Sequence, residues 1–106
     1  MDLMVAVRRI EKMEKSFDAC VKAGKELSDA LEGYKKVLGD MTALIEYYDG
    51  GAWREDFELD EAGKLPKPLK RGVLSEDGLG DLLDSNREMT LDMLKLLTEM
   101  AERRIR

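Results

Sequence analysis

Histidine is absent from this chain, cysteine and tryptophan occur once each, and proline occurs twice among 106 residues. Each scarcity removes a class of fold or function. Without histidine, the commonest general base is missing. A single cysteine, Cys20, closes no internal disulfide, which suits a reducing cytosol. Pro66 and Pro68 share one five-residue stretch, so the rest of the chain is free to be helix. Aromatics at 6% beside charged residues at 39% fit a helical, coiled-coil-rich protein. No apolar run approaches the roughly 20 residues a membrane span needs. The run Leu3 to Val7 is stopped at once by Arg8 and Arg9, which does not read as a signal peptide. A formal charge of −5 opposes a general nucleic-acid binder. The expectation is a cytosolic helical protein with neither nucleic acid nor membrane as partner.

What is present is a heptad seam. Positions a are Leu3, Ile10, Phe17, Gly24, Leu31, Leu38 and Ile45; positions d are Ala6, Met13, Cys20, Leu27, Tyr34, Met41 and Tyr48. Alternating steps of three and four hold one apolar stripe on one helix face, the pattern of coiled-coil packing. One helix over about 2–48 would run roughly 70 Å at 1.5 Å per residue. Gly33 and Gly39 offer the alternative of a break, since each interior glycine costs about 1 kcal/mol relative to alanine. The seam passes both in register, which favours one helix. Glu11→Lys15, Asp18→Lys22 and Glu32→Lys36 have the spacing of supporting ion pairs.

A second helix is expected over about 76–105, capped by Ser75 with Glu76 and Asp77 in its first turn. Its main seam is Leu79, Leu82, Asn86, Met89, Met93, Leu96 and Met100, and a second stripe runs Leu91, Leu94, Thr98, Ala101 and Ile105. Asn86 among leucines and methionines reads as a residue that fixes register. Folded back on the first helix, the second would leave Leu3, Met4, Val7, Ile10 and Met13 overhanging, with one of its own stripes uncovered. The fold class expected is all-α: a long antiparallel helical hairpin, coiled-coil-like, with an ordered connector at 49–74, all one domain. Two hairpins would then pair as a homodimeric four-helix bundle.

The connector, DGGAWREDFELDEAGKLPKPLKRGVL, segregates its charge. Glu55, Asp56, Glu58, Asp60 and Glu61 come without a base; Lys64, Lys67, Lys70 and Arg71 follow without an acid. Trp53 and Phe57 share a face of a short helix, and Gly63 can supply its left-handed cap. With Leu65, Leu69, Val73 and Leu74 as further anchors, the segment reads as an ordered wrap across the Tyr47–Tyr48 end.

The run Tyr47-Tyr48, Trp53, Asp56-Phe57, Asp60-Glu61, Gly63, Leu65-Pro66, Leu69, Lys70 through Asp77 and Leu82-Leu83 resembles a small bacterial family of the domain-of-unknown-function series. The likeness takes in nearly the whole chain, with Pro68 departing from the polar residue expected there. It implies a bacterial cytosolic protein and draws attention to the connector. It implies no catalytic residue.

Candidate chemistry is thin. Asp56, Glu58 and Asp60 alternate as in a calcium loop, but the glycine position holds Glu61 and the twelfth holds Lys67, so an EF-hand fails. The acids are better placed to pair with Lys70 and Arg71 and fix the wrap. Cys20, at a d position, reads as a buried inert thiol. No catalytic, cofactor or metal residue is assigned. The reading reached is a non-enzymatic homodimeric interaction module that meets another protein through Tyr47, Tyr48, Trp53, Asp56, Asp60, Glu61, Lys70 and Arg71. The alternative is a small-ligand binder or metal-dependent enzyme with a carboxylate site at 56–61 and 76–77.

Overall fold

The computed structural model describes residues 2–75 and 77–104. It is all-helical: α1 is Leu3–Lys36, α2 Leu38–Asp49, α3 Ala52–Glu61 and α4 Gly78–Glu102, with a single 3-10 turn at Gly72–Leu74. Contacts group the chain into two compact units, the first ending at Asp40 and the second beginning at Met41.

The first unit is built on α1. Asp2 caps it, its Oδ1 accepting the Met4 N–H at 2.9 Å, and Lys35 and Lys36 sit in the last turn where they complement the helix dipole. The single helix expected over 2–48 is interrupted at Val37. There the N–H bonds to the Tyr34 carbonyl at 3.1 Å, three residues back rather than four, with φ −101° and ψ 5°. A β-branched residue with a glycine four before and two after it lies where helical propensity is lowest, and one turn tightens there. The break therefore falls between the two glycines rather than on either.

No residue of α1 is buried. Its seam is uncovered within its own unit: Leu3 is 76% exposed, Phe17 62%, Ile10 58% and Leu31 49%. Cys20, expected to be buried, is exposed for the same reason, because a d position is buried only when a partner covers it. The ion pairs formed on α1 are Lys22–Glu26 at 3.9 Å and Lys25–Asp29 at 3.1 Å, not the three that spacing suggested. The acid-first order of the expected pairs is the better one, but only by tenths of a kcal/mol, too little at exposed positions to decide which pairs form.

The second unit folds around a small core. Leu74 in the 3-10 turn and Leu79 in α4 are its buried apolar residues among those described. The 3-10 turn packs on both α3 and α4 and so joins them. Ser75 does the capping predicted of it: its Oγ accepts the Gly78 N–H at 3.1 Å and donates to the Gly72 carbonyl at 2.9 Å. Regular helix begins only at Gly78, and a Cβ there would overlap Ser75 Oγ and lie 3.0 Å from the Gly72 oxygen. Glycine is thus required for the cap to close. Glu76 and Ile105 lie outside the described residues. Asn86 is half-buried on α4, and the apolar residues beyond it, including Leu94 and Leu97, are exposed.

Candidate functional site

The residues singled out from the connector converge on the corner where α2 turns into α3. Gly50 and Gly51 make that turn, bringing the end of α2 against the first turns of α3. Tyr47 on α2 donates its hydroxyl to Asp56 Oδ2 at 2.6 Å. Burial comes first, and the hydrogen bond and negative charge of Asp56 second, in pushing the Tyr47 phenol up to about 12. Tyr47 is therefore a donor fixed in its neutral form at any physiological pH.

Trp53 sits at the centre. Its ring stacks on Phe57 with centroids 5.0 Å apart at 17°, and Tyr48 tilts against it at 5.0 Å and 57°. Both are distances at which aromatic pairs add about 0.5–1.5 kcal/mol beyond their burial. The indole Nε1–H donates to the Val73 carbonyl at 2.9 Å, tying α3 to the 3-10 turn 20 residues on.

α3 ends in a Schellman motif. The Gly63 N–H reaches the Asp60 carbonyl, and the Lys64 N–H reaches that of Leu59, both at 3.0 Å, with Gly63 at φ 70°. From there the chain returns past the prolines to Arg71, which locks it. Nη1 pairs with Asp60 Oδ1 at 2.6 Å, Nη2 donates to the carbonyls of Pro66 at 2.8 Å and Lys67 at 3.1 Å, and Nε to that of Leu69 at 3.3 Å. One guanidinium fork thus holds a carboxylate and three backbone oxygens.

Of the eight residues nominated from sequence, Tyr47, Trp53, Asp56, Asp60 and Arg71 are half-buried and bonded to one another or to local backbone. Tyr48, Glu61 and Lys70 are exposed, and Lys70 makes no ion pair among the described residues. Sequence reasoning missed Asp49 and Arg54, and named Glu58 only in the acidic run and the alternative carboxylate site at 56–61. With Tyr48, Gly51, Trp53 and Glu55 they line an open cleft of about 480 Å³ on the outer side of the corner. Arg54 and Glu58 share a helix face at i,i+4, but nothing in the sequence says that α3 presents that face over the α2 end. Among the described residues no three histidine, cysteine, aspartate or glutamate side chains are grouped to hold a metal ion. No described helix is long and apolar enough to cross a membrane.

A family model described as a domain of unknown function, DUF4298, matches residues 10–96. The chain belongs to that family. The DUF4298 match takes in the whole corner and most of α1 and α4. Neither curated proteins nor solved structures gave a match. The DUF4298 description carries no activity, and roles at the corner rest on its geometry alone.

Proposed function

We propose that the protein is a non-enzymatic, homodimeric interaction module of the bacterial cytosol, with α1 joining two copies and the α2–α3 corner meeting another protein. The observation that carries this reading is the seam of α1. Leu3, Ile10, Met13, Phe17, Leu27 and Leu31 stand 49–76% exposed on a helix that shares its unit with no more than the first residues of α2. Contiguous apolar surface on that scale marks an interaction face. Light scattering coupled to size exclusion is expected to give twice the 12.0 kDa chain mass. Ile10→Asp, which puts an unpaired charge into a desolvated seam, is expected to give the monomer. A wild type that is monomeric at micromolar concentration refutes the homodimer.

For the corner, the closed state of its charges supports protein recognition over metal chemistry. Asp60 is committed to Arg71, and Asp56 to Tyr47. The second reading, small-ligand binding, has the cleft beside Tyr48 and Trp53 in its favour, since three carboxylates there face one arginine. Melting with millimolar Mg²⁺, Mn²⁺ or Ca²⁺ separates the two. Ions that bind only the folded state raise its stability, so a rise of many degrees that Glu58→Gln, in the cleft lining, abolishes selects the second reading.

A further inference from the structure

The structure delimits α1 in a way that points to how two copies meet. The break at Val37 leaves a helix that begins on an a residue, Leu3, and whose last seam residue is the d residue Tyr34. Ten seam positions run from the one to the other, both included, and their sizes are uneven. Ala6, Cys20 and Gly24 are small; Leu3, Ile10, Met13, Phe17, Leu27, Leu31 and Tyr34 are large.

Resting on the homodimer reading, we infer that α1 pairs with the α1 of a second copy, antiparallel and end to end, in one register. Leu3 faces the partner's Tyr34, Ala6 the partner's Leu31, Ile10 the partner's Leu27, Met13 the partner's Gly24 and Phe17 the partner's Cys20. In antiparallel coiled coils a residues meet d residues in layers, and an isologous pair repeats every contact twice. Here each small residue meets a large one, and no seam residue of α1 overhangs. Sliding the partner one heptad either way destroys the match. One slide puts Gly24 against the partner's Cys20, the other puts Ala6 against the partner's Gly24, and each leaves two seam positions uncovered. A parallel pair in register is worse, because Ala6, Cys20 and Gly24 each stack on their own copies and leave gaps, which close-packed interfaces avoid.

The flanks agree. On one edge Ser16 faces the partner's Ala23 and Arg9 the partner's Ala30; on the other Glu14 faces the partner's Val21 and Val7 the partner's Ser28. Small residues line the first edge, and no like charges meet on either. The area is sufficient. The six exposed large residues named above retain 49–76% of their surface. At about 150 Å² each, the lower end of the aromatic range, they alone contribute roughly 500 Å² per copy, to which Tyr34 and the edge residues add. A standard specific interface takes about 800 Å² per partner.

The test begins with unmodified protein, because its mass by light scattering decides the homodimer independently of the register. The register is read on a Cys20→Ser background. With Ile10→Cys and Leu27→Cys together, mild oxidation is expected to convert most of the protein to a covalent dimer. Peptide mapping should find position 10 joined to position 27; those two positions lie roughly 25 Å apart along one helix, beyond the reach of an internal bridge. With Ile10→Cys alone, under a tenth should cross-link. As a check away from the seam, spin labels on Arg8→Cys should lie about 30–40 Å apart, against under about 20 Å for a parallel pair. A dimer in which Ile10→Cys alone cross-links, or whose Arg8 labels are close, overturns the polarity. A dimer that forms no 10-to-27 bridge overturns the register. A monomer overturns this inference and the homodimer together.

Discussion

Arg71→Ala is the perturbation that most directly probes the corner. It removes one charged pair and three donors to backbone oxygens at a single stroke. These losses are unequal. The bonds to the carbonyls of Pro66, Lys67 and Leu69 are at exposed positions, so water replaces most of what they contribute, leaving a few tenths of a kcal/mol each. The Asp60 pair is different: the side chains are 32% and 20% exposed, and at 2.6 Å the bond is short and charge-assisted. Stranding Asp60 in that position costs about 1–2 kcal/mol, and the whole substitution about 2 kcal/mol. For a unit of this size that lowers the melting temperature by roughly 10 °C. The assay is a double-mutant cycle of Arg71→Ala and Asp60→Asn, read by chemical denaturation. A coupling of about 1 kcal/mol or more is expected, because the second substitution should add little once the first is made. Coupling near zero would show that the pair behaves as an ordinary surface salt bridge and that the corner is not held by it.

Three further outcomes follow from the same geometry. Gly78→Ala should destabilise by about 2 kcal/mol through its clash with Ser75 Oγ, and adding Ser75→Ala, which alone costs about 1 kcal/mol as a lost cap, should cost less than the sum because it removes the clashing atom. Trp53→Ala should cost about 3 kcal/mol, and native Trp53 should emit at shorter wavelength than the unfolded chain; red-shifted native emission with unchanged melting would make the ring an exposed anchor instead. Tyr47 should ionise near pH 12 in an ultraviolet titration. Because its pKa is raised on folding, the stability it lends is whole below pH 10 and lost as pH climbs towards 12, a loss that Tyr47→Phe should abolish.

How much of this was legible in the sequence depends on whether the signal was periodic. The all-α class followed from heptads that need no knowledge of tertiary contacts. The interruption did not. Gly33 and Gly39 draw attention by propensity, but it is Val37 between them that leaves the helix, where the summed weakness of the stretch is released in one tightened turn. The Arg71–Asp60 pair was half legible. Segregated charge said that bases would close on acids, and could not separate Lys70 from Arg71. The structure selects Arg71 because only a planar fork serves a carboxylate and several carbonyls together. Backbone acceptors carry no residue signature, so the bond from Trp53 to the Val73 oxygen was invisible. Tyr47 and Asp56 were nominated separately as surface groups, and their pairing depends on a Gly-Gly turn whose angle no spacing rule supplies. Cys20 was misjudged because a seam position was equated with a buried one.

The same pairings narrow where a partner would be read. Asp56, Asp60 and Arg71 cannot be offered to a partner without first breaking 2.6 Å bonds inside the corner, a cost that recognition at an exposed group avoids. The groups that remain available are Tyr48, the acids Asp49, Glu55 and Glu58 around the cleft, and the exposed Glu61 and Lys70. Substitutions should therefore divide into two kinds. Those at Tyr47, Asp56, Asp60 or Arg71 should lower stability and weaken partner binding only in proportion to the fraction unfolded. Those at Glu58, Glu61 or Lys70 should leave melting unchanged, since exposed charges are worth little to the fold. Any loss of binding they cause is then recognition itself, and a set of exposed variants that bind as the wild type does would remove the corner from consideration as the recognition surface.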